Sequence, residues 1–504
     1  MSGQSSRTVG ALEARIAELE KTLAARETYI KNLEQAITKL RRWQFGTKSE
    51  QIHDDQMLFD FYGRLESARE EAVEWKPSKE TAPRKPAKRG RRAIPPDLPR
   101  QTVLIDLDEH EKKCPGCGAL RVLIGHDKSE QIDWNAASFF VRVFLRAKYA
   151  CEPCQAHVTT AASLAPTGPI AGGLPGSGLL SQVIVSKYCD HQPCYRQSRI
   201  YARHGLFISR STLCDWIGQA EKLLAPIVEA MRKDILASGI LRTDDTIVRL
   251  WVPGLRRTIQ ARMWGYLGDR EHNQVVYEFS KGRSQEYPLA FLRDYQGRVQ
   301  ADAFSGYDKL FLDGTREELG CMAHCRRHFF DARDSDPERV SVALGFIRDL
   351  YIVEHQAREL SPEARVSLRR RQARPILDAW KRWLDAECLK VLSKSPIAQA
   401  IGYALGNWEA LTRYVGIGEA DIDNNAMERA LRGIVLGRKN FLFVASEAGG
   451  RWAATAYSLI ESCKLNGIDP YRYLKDVLMR VWTHPAKRVH ELMPRLWRPP
   501  PDSS

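Results

Sequence analysis

Residues 76–99, KPSKETAPRKPAKRGRRAIPPDLP, constrain the fold of this chain more than any other segment. Proline breaks a helix and withholds a donor from a sheet ladder. The crowded Lys and Arg side chains also repel one another, so the stretch reads as an extended linker. No compact domain runs through such a segment. The chain is therefore expected to be modular, as its length of 504 residues also suggests.

On the N-terminal side, Leu12, Leu19, Leu33 and Leu40 share one heptad position, and Ile16, Leu23, Ile30 and Ile37 share the other. Only Arg26 interrupts the seam. Leu at one position with mostly Ile at the other favours a parallel two-stranded coiled coil. Residues 8–45 are accordingly expected to form a leucine-zipper-like coiled coil, and the chain a homodimer or higher oligomer. One amphipathic helix packed on its own protein is the alternative. The basic, aromatic stretch RRWQFGTKSE that ends this segment suits a phosphate-contacting arm or a solvated helix end, and both stay open.

Lys and Arg number 76 against 62 Asp and Glu, a net charge of +14, which favours polyanionic partners and nucleic acid above all. The run Lys88-Arg89-Gly90-Arg91-Arg92 suits non-specific contact with a phosphate backbone. No apolar run of about 18 residues suggests a membrane span, and the N-terminus lacks a secretory signal. Eleven cysteines without an export signal point to reduced thiols and metal ligands. A cytoplasmic, nucleoid-associated protein is expected.

Cys114-Pro115-Gly116-Cys117 and Cys151-Glu152-Pro153-Cys154 are two C-x-x-C pairs inside a module spanning 100–160. Each pair presents two thiolates to one ion, and two pairs complete a zinc tetrahedron with no open position for water. VRVFLRAKYA between them has the β-branched and aromatic content of a strand. A zinc-ribbon-like module holding structural Zn²⁺ is expected, although the spacing is longer than usual; His126 and His157 lie nearby. A redox pair is the alternative. After a Gly/Pro-rich hinge, residues 175–235 read as several short helices. Ser209 is the expected N-cap, and Leu213, Trp216, Ile217 and Ala220 fall on one face. Arg210, Ser211 and Thr212 in the first turn suit entry into a DNA major groove, with Lys187, Arg196, Arg199 and Arg203 along the approach. A small helical bundle with no such role is the alternative reading.

From Ile240 the pattern changes again. GILRTDDTIVRLWV, TIQARMWGYLG and NQVVYEFS read as three strands in hairpin order. A helical SQEYPLAFLRDY and a fourth strand, GRVQADAF, follow. That is the opening order of an RNase H-like fold, with Asp244 on the first strand and Asp302 at the end of the fourth. Asp245 competes with Asp244, but strand alternation sends the two side chains to opposite faces. ADIDNNAMERALRGIVLGRKNFLF supplies a third acid, Glu428, on a helix whose Arg432, Arg438 and Lys439 suit phosphate contacts. Two divalent ions on such acids stabilise the attacking and leaving oxygens at one phosphorus, and hard Mg²⁺ or Mn²⁺ calls for carboxylate ligands. The catalytic domain is expected over 240–445, with an all-helical insertion at about 337–414. Residues 446–504 are expected as a C-terminal helical tail. Cys321, His324, Cys325 and His328 share a helical face, which suits a second zinc or, more simply, packing. The fold class is multidomain α+β.

Several blocks carry a specific resemblance. RTDDT, QADAFSGYDKL, CMAHCRRHFFDA, DIDNNAMERALRGIVLGRKNFLF and YSLIESCKLNGIDPYRYL resemble the transposases of the insertion sequence 66 family. RRWQFGTKSEQI, CPGCG…KYACEPC and SKYCDHQPCYRQSRIYARHGLFISRSTLCDW match further blocks in order, so the resemblance covers nearly the whole chain. It implies a zipper-like N-terminus, a zinc-binding module, a DDE catalytic domain with its acids at Asp244, Asp302 and Glu428, and a C-terminal element. Asp245 stands where the family commonly has Glu. The implied activity is metal-dependent cleavage at insertion-sequence ends and strand transfer into target double-stranded DNA, with small accessory proteins as further partners. Two rival readings are a zinc-ribbon and helix-turn-helix regulator with an inactive catalytic domain, and a nuclease that cuts without joining.

Overall fold

The computed structural model describes residues 94, 96, 98–135, 138–154, 156–161, 168–170, 173–312 and 314–499. The expected coiled coil over 8–45 and most of the linker over 76–99 lie outside the described residues. The chain divides into two compact units. The smaller includes Arg327–Gly345 and Lys381–Tyr403; the larger comprises Ile94–Arg326, Phe346–Trp380 and Ala404–Ser504.

The larger unit opens with four strands: β1 (Arg100–Ile105), β2 (Val122–Asn135), β3 (Ser138–Cys151) and β4 (Ala156–Thr160). β3 is central, parallel to β1 and antiparallel to β2 and β4. The expected VRVFLRAKYA strand lies inside β3, whose Val, Phe and Ala side chains are largely buried. Its long partner β2 carries the polar run Gly125–Gln131, which hides its strand character from a sequence reading. Helices α1 (Ser177–Tyr188), α2 (Cys194–Arg203) and α3 (Arg210–Ile235) follow. Ser209 caps α3, its hydroxyl accepting the Thr212 N–H at 3.1 Å. Leu213, Trp216, Ile217 and Ala220 are buried as their spacing predicts. The stretch does not end there as a short helix. Leu224, Ile227, Met231 and Ile235 extend the same buried face, so α3 runs for 26 residues, through Pro226.

A five-stranded sheet comes next. Its elements are β5 (Ile240–Val252), β6 (Arg257–Leu267), β7 (Val275–Ser280), helix α4 (Glu286–Phe291), β8 (Gly297–Gln300), helix α5 (Asp308–Phe311) and β9 (Arg316–Leu319). The strand order is β7-β6-β5-β8-β9. β5, β6 and β7 pair antiparallel, while β8 joins β5 and β9 joins β8 in parallel. The sequence pattern predicts four strands, and β9 is a fifth. β9 is four residues long and includes two glutamates, so it carries neither alternation nor β-branched content.

The remaining chain is helical: α6 (Met322–Asp331), α7 (Pro337–Ala357), α8 (Pro362–Leu368), α9 (Arg374–Cys388), α10 (Pro396–Gly406), α11 (Trp408–Thr412), α12 (Asn425–Asn440), α13 (Glu447–Leu465) and α14 (Pro470–Arg480). Within the smaller unit, Arg339 bridges Asp336 at 2.9 Å and Glu387 at 2.6 Å, and the His328 ring stacks on Tyr403 at 4.2 Å. In the larger unit, Arg369 is fully buried yet paired with Glu354 at 2.6 Å, and it donates to the Tyr414, Ile417 and Ala420 carbonyls. Such pairing offsets the cost of burying its charge. It fixes the loop that leads into α12.

The main core joins the faces of β6 and β7 to α1, α3, α12, α13 and α14. The segment expected as a helical tail contributes one of its most buried helices: Ala453 through Cys463 of α13 are all buried. Two of its serines serve the outer strand of the sheet. Ser458 and Ser462 hydroxyls accept the Tyr277 and Val275 N–H groups at 2.8 and 3.0 Å, satisfying β7 where no strand follows.

Candidate metal centres

The first centre is a thiol tetrad. An antiparallel bridge between Lys113 and Leu120 closes a tight loop, inside which Cys114 N–H donates to Ala119 O at 2.8 Å. Gly118 turns that loop at φ +73°, where a side chain would be strained. Cys117 is carried on the same loop, Cys151 ends β3, and Cys154 sits in the turn that follows. Cys114 and Cys154 sulfurs lie 3.8 Å apart, and Cys117 and Cys151 sulfurs 3.5 Å, far beyond a disulfide bond of about 2.05 Å. All four sulfurs fall within 4.8 Å of one another, the spacing of ligands around a tetrahedral ion. The Gly116 and Cys117 amides hold the Cys114 thiol below its ordinary value, while the neighbouring sulfurs push the Cys154 thiol up to about 12, crowding that a bound cation would offset. The packing around the tetrad is slight: Leu107, Ala147, Tyr149 and Ala161 form a separate small core. The donor set fits structural zinc, with four thiolates and no open position.

The second centre lies where β5 and β8 run side by side. Their parallel register pairs Arg242 with Gln300, where β8 ends, short of the strand expected over GRVQADAF; Asp244 lies two residues further along β5, and Asp302 two residues past the end of β8. Asp244 faces Gly265 across the β5–β6 ladder. α12 crosses this point closely, because a Cβ on Gly265 would stand 2.2 Å from the Met427 methyl carbon. Asn424 anchors the start of α12 by donating to Thr243 O at 2.9 Å, and Tyr277 donates to Ala430 O at 2.7 Å further along. Glu428, in the first turn of α12, is thereby brought towards Asp244. Burial, then the negative charges of Asp302, Asp245 and Glu428, push the Asp244 carboxyl up to about 8. A divalent cation relieves this like-charge crowding, so the acids fit one. They do not form a tight cage: among the described residues, only the cysteine tetrad and a Cys321–His324–Glu428 group have three ligand atoms within 4.8 Å.

Asp245 points elsewhere. Its carboxylate is almost wholly buried between Arg262 at 2.9 Å and Arg283 at 2.8 Å. Arg283 also reaches Asp302 at 3.2 Å and lies over the Phe304 ring at 3.9 Å. Two guanidiniums thus occupy the acid that competed with Asp244 in the sequence. Arg283 sits in a loop without periodicity, and no sequence signal singled it out.

The basic residues fare unevenly. Arg432 and Lys439 are exposed on α12, as is Arg210 at the start of α3. Arg438 is half-buried and donates to Ile247 O at 2.7 Å, so its guanidinium serves packing on β5. Ser211 and Thr212 hydroxyls each lie 2.8 Å from the capping Ser209 hydroxyl. The four-residue Cys/His face divides: Cys321 and His324 meet Glu428, Cys325 is buried, and His328 stacks on Tyr403.

A thiolate tetrad suited to zinc and an acid cluster suited to a divalent cation, on a mixed sheet, define a metal-binding protein of modular α/β build. Comparison with known families makes this specific. The model described as Transposase IS66 family matches residues 172–452, and the IS66 C-terminal element matches 458–495. The zinc-finger binding domain of transposase IS66 matches 111–155, and a leucine-zipper model described as Transposase C of IS166 homeodomain matches 32–103. The chain belongs to the IS66 transposase family, and its function is that of a transposase. Two similar relatives are uncharacterized proteins of Sinorhizobium fredii. One, y4qI, is 32% identical over 98% of this chain and 94% of its own. The other, y4hP, is 30% identical over 92% of this chain and 88% of its own. Matches to every module disfavour a regulator that has lost its catalytic role. No helix among the described residues is long and apolar enough to cross a membrane.

Proposed function

We propose that this transposase cleaves and joins DNA with Asp244, Asp302 and Glu428 on an RNase H-like sheet, using Mg²⁺ or Mn²⁺. The observation that carries the reading is the convergence of three acids from distant parts of the chain: Asp244 on β5, Asp302 just past β8 and Glu428 in the first turn of α12, crowded enough that burial and like charge raise the Asp244 carboxyl. The strand order, with three antiparallel strands followed by two parallel ones, supports the fold assignment. Bound there, divalent ions supply charge stabilisation at the attacking and leaving oxygens of an in-line displacement.

The chain's own groups position the rest. Asp244 within β5 and Asp302 just past the end of the parallel β8 present their carboxylates side by side, and α12 delivers Glu428. Water displaces the 3′-oxygen of the transposon end, leaving a 3′-OH and a 5′-phosphate. That 3′-OH then attacks a target phosphodiester and releases a new 3′-OH, with no protein–DNA bond at either step. Arg432 and Lys439 lie on the surface of the Glu428 helix, placed for phosphate contact. Arg210 at the α3 N-terminus, with the zinc module, serves recognition of the transposon ends, and the N-terminal heptads pair subunits across them.

On a supercoiled donor carrying two ends, Asp302→Asn and Glu428→Gln each lower Mg²⁺-dependent nicking and joining by about 10²–10³-fold or more. Gel-shift binding of the ends stays intact. Full joining by either variant overturns the assignment, and nicking without joined product by the unaltered chain favours the nuclease.

A further inference from the structure

Cys321 ends the short connection after β9, His324 lies in the first turn of α6, and Glu428 lies in the first turn of α12. Their ligand atoms fall within 4.8 Å of one another. His324 Nδ1 is buried without a hydrogen-bond partner, and the nearest charged oxygen is Glu428 Oε1 at 3.8 Å. An orphaned buried nitrogen is costly unless something else engages it. The Cys321 sulfur accepts the Asn424 N–H at 3.2 Å and the His324 amide as well. Burial pushes this thiol up to about 12 despite those two donors, so a metal ion would bind it only by displacing its proton. Bonds of about 2.0–2.3 Å at tetrahedral angles place ligand atoms about 3.3–3.7 Å apart. The His324–Glu428 pair is already near that separation.

From this geometry we infer a second transition-metal site, made by Cys321, His324 and Glu428, that takes Zn²⁺ and shares Glu428 with the acid centre. The donor set decides the metal. A thiolate and an imidazole suit zinc or cobalt and are poor ligands for Mg²⁺. Three protein ligands leave one coordination position open, unlike the closed cysteine tetrad. Cys325, fully buried, and His328, stacked on Tyr403, are not among the ligand atoms that gather there. Zinc here holds a Glu428 oxygen that the proposed Mg²⁺ centre also needs, so the two ions compete. The site tethers the start of α6 to the start of α12, and its occupancy sets whether Glu428 is available. The regulatory part of the inference rests on the proposed catalytic role of Glu428; the metal site itself does not.

The test is metal content and spectroscopy of the full chain, with zinc and with cobalt as its optical probe. The unaltered protein is expected to bind two zinc ions, one in the tetrad and one here. Cys321→Ser and His324→Gln each drop this to one, and Cys321→Ser removes the thiolate-to-cobalt charge-transfer band that the second equivalent adds. Asp244→Asn keeps both ions. A single zinc in the unaltered chain, or two retained by both variants, overturns the site. If His324→Gln still folds where Cys321→Ser does not, its stoichiometry alone decides. Added zinc is expected to depress Mg²⁺-dependent nicking of the unaltered chain, and less so in Cys321→Ser. If nicking survives Glu428→Gln while the zinc count still falls from two to one in Cys321→Ser, the metal site stands and the catalytic reading fails.

Discussion

In the cysteine module, four like ligands come from two tight turns and stand within 4.8 Å before any ion arrives. On the five-stranded sheet, Asp244 comes from β5, Asp302 from the turn after β8 and Glu428 from a helix, and Arg283 meanwhile occupies one oxygen of Asp302. The first arrangement has little core of its own, so a metal there substitutes for packing. The second is built on the main hydrophobic core, so its acids are held whether or not a metal is bound. The contrast separates a small module that a metal would hold together from a packed sheet that holds its acids without one.

Stripping zinc should break the comparison most visibly. Chelation, or Cys151→Ser, is expected to raise amide exchange in β1 and β4 by about 10³-fold or more, and to weaken DNA-end binding. Exchange in β5 and β6 stays unchanged. Equal loss of protection in both sheets would mean that the two regions fold as one unit.

A smaller effect sharpens the acid side. The folded value of Asp244 is raised from 3.8 to about 8, so between these pH values the folded chain keeps a proton that the unfolded chain has released. Its contribution to stability is present below about pH 4 and lost as pH rises through about 8. Metal-free Asp244→Asn should therefore outlast the unaltered protein in urea at pH 8.5 by about 1–3 kcal/mol, with the gap closing towards pH 4.5. Mg²⁺ binding to the unaltered protein should release a proton below pH 8, measurable by calorimetry in buffers of different ionisation enthalpy. A pH-independent difference between the two proteins would argue that Asp244 is ionised without cost.

The smallest change serves as the reference. Ser209→Ala removes the α3 cap and is expected to cost about 1 kcal/mol in thermal stability, while zinc content and nicking stay as before. If nicking falls with it, the start of α3 bears on DNA engagement as well as on helix stability.

Local signals were legible, and long-range placement was not. The two C-x-x-C pairs, the Ser209 cap, the buried face of α3 and the three hairpin strands all follow from spacing within a few residues. Asp302 lies two residues past β8 rather than on the longer strand expected, because the chain turns away at Ala303 with φ +57°. Glu428 is singled out by the family's motif alone, since an acid beside Arg432 on a helix otherwise reads as a surface pair. β9 escaped because a four-residue strand bearing two glutamates offers no alternation. The partnership of Cys321 with Glu428 escaped because more than a hundred residues of chain separate them. The sequence grouped Cys321, His324, Cys325 and His328 by helical face, whereas burial divides them. Arg283 and its two acids form a contact no local pattern encodes, since each partner lies on a different element.

Gly265 has no chemistry of its own, yet it sets the gap through which α12 passes over β5. A side chain there meets first the Met427 methyl, the far end of a flexible thioether, and then the Tyr277 ring. A small residue such as Ala is therefore expected to be absorbed by a turn of Met427, whereas a bulky one would press on the buried helix that carries Glu428. The tolerance of this position is thus graded by side-chain size, unlike that of a charge, which is either present or absent.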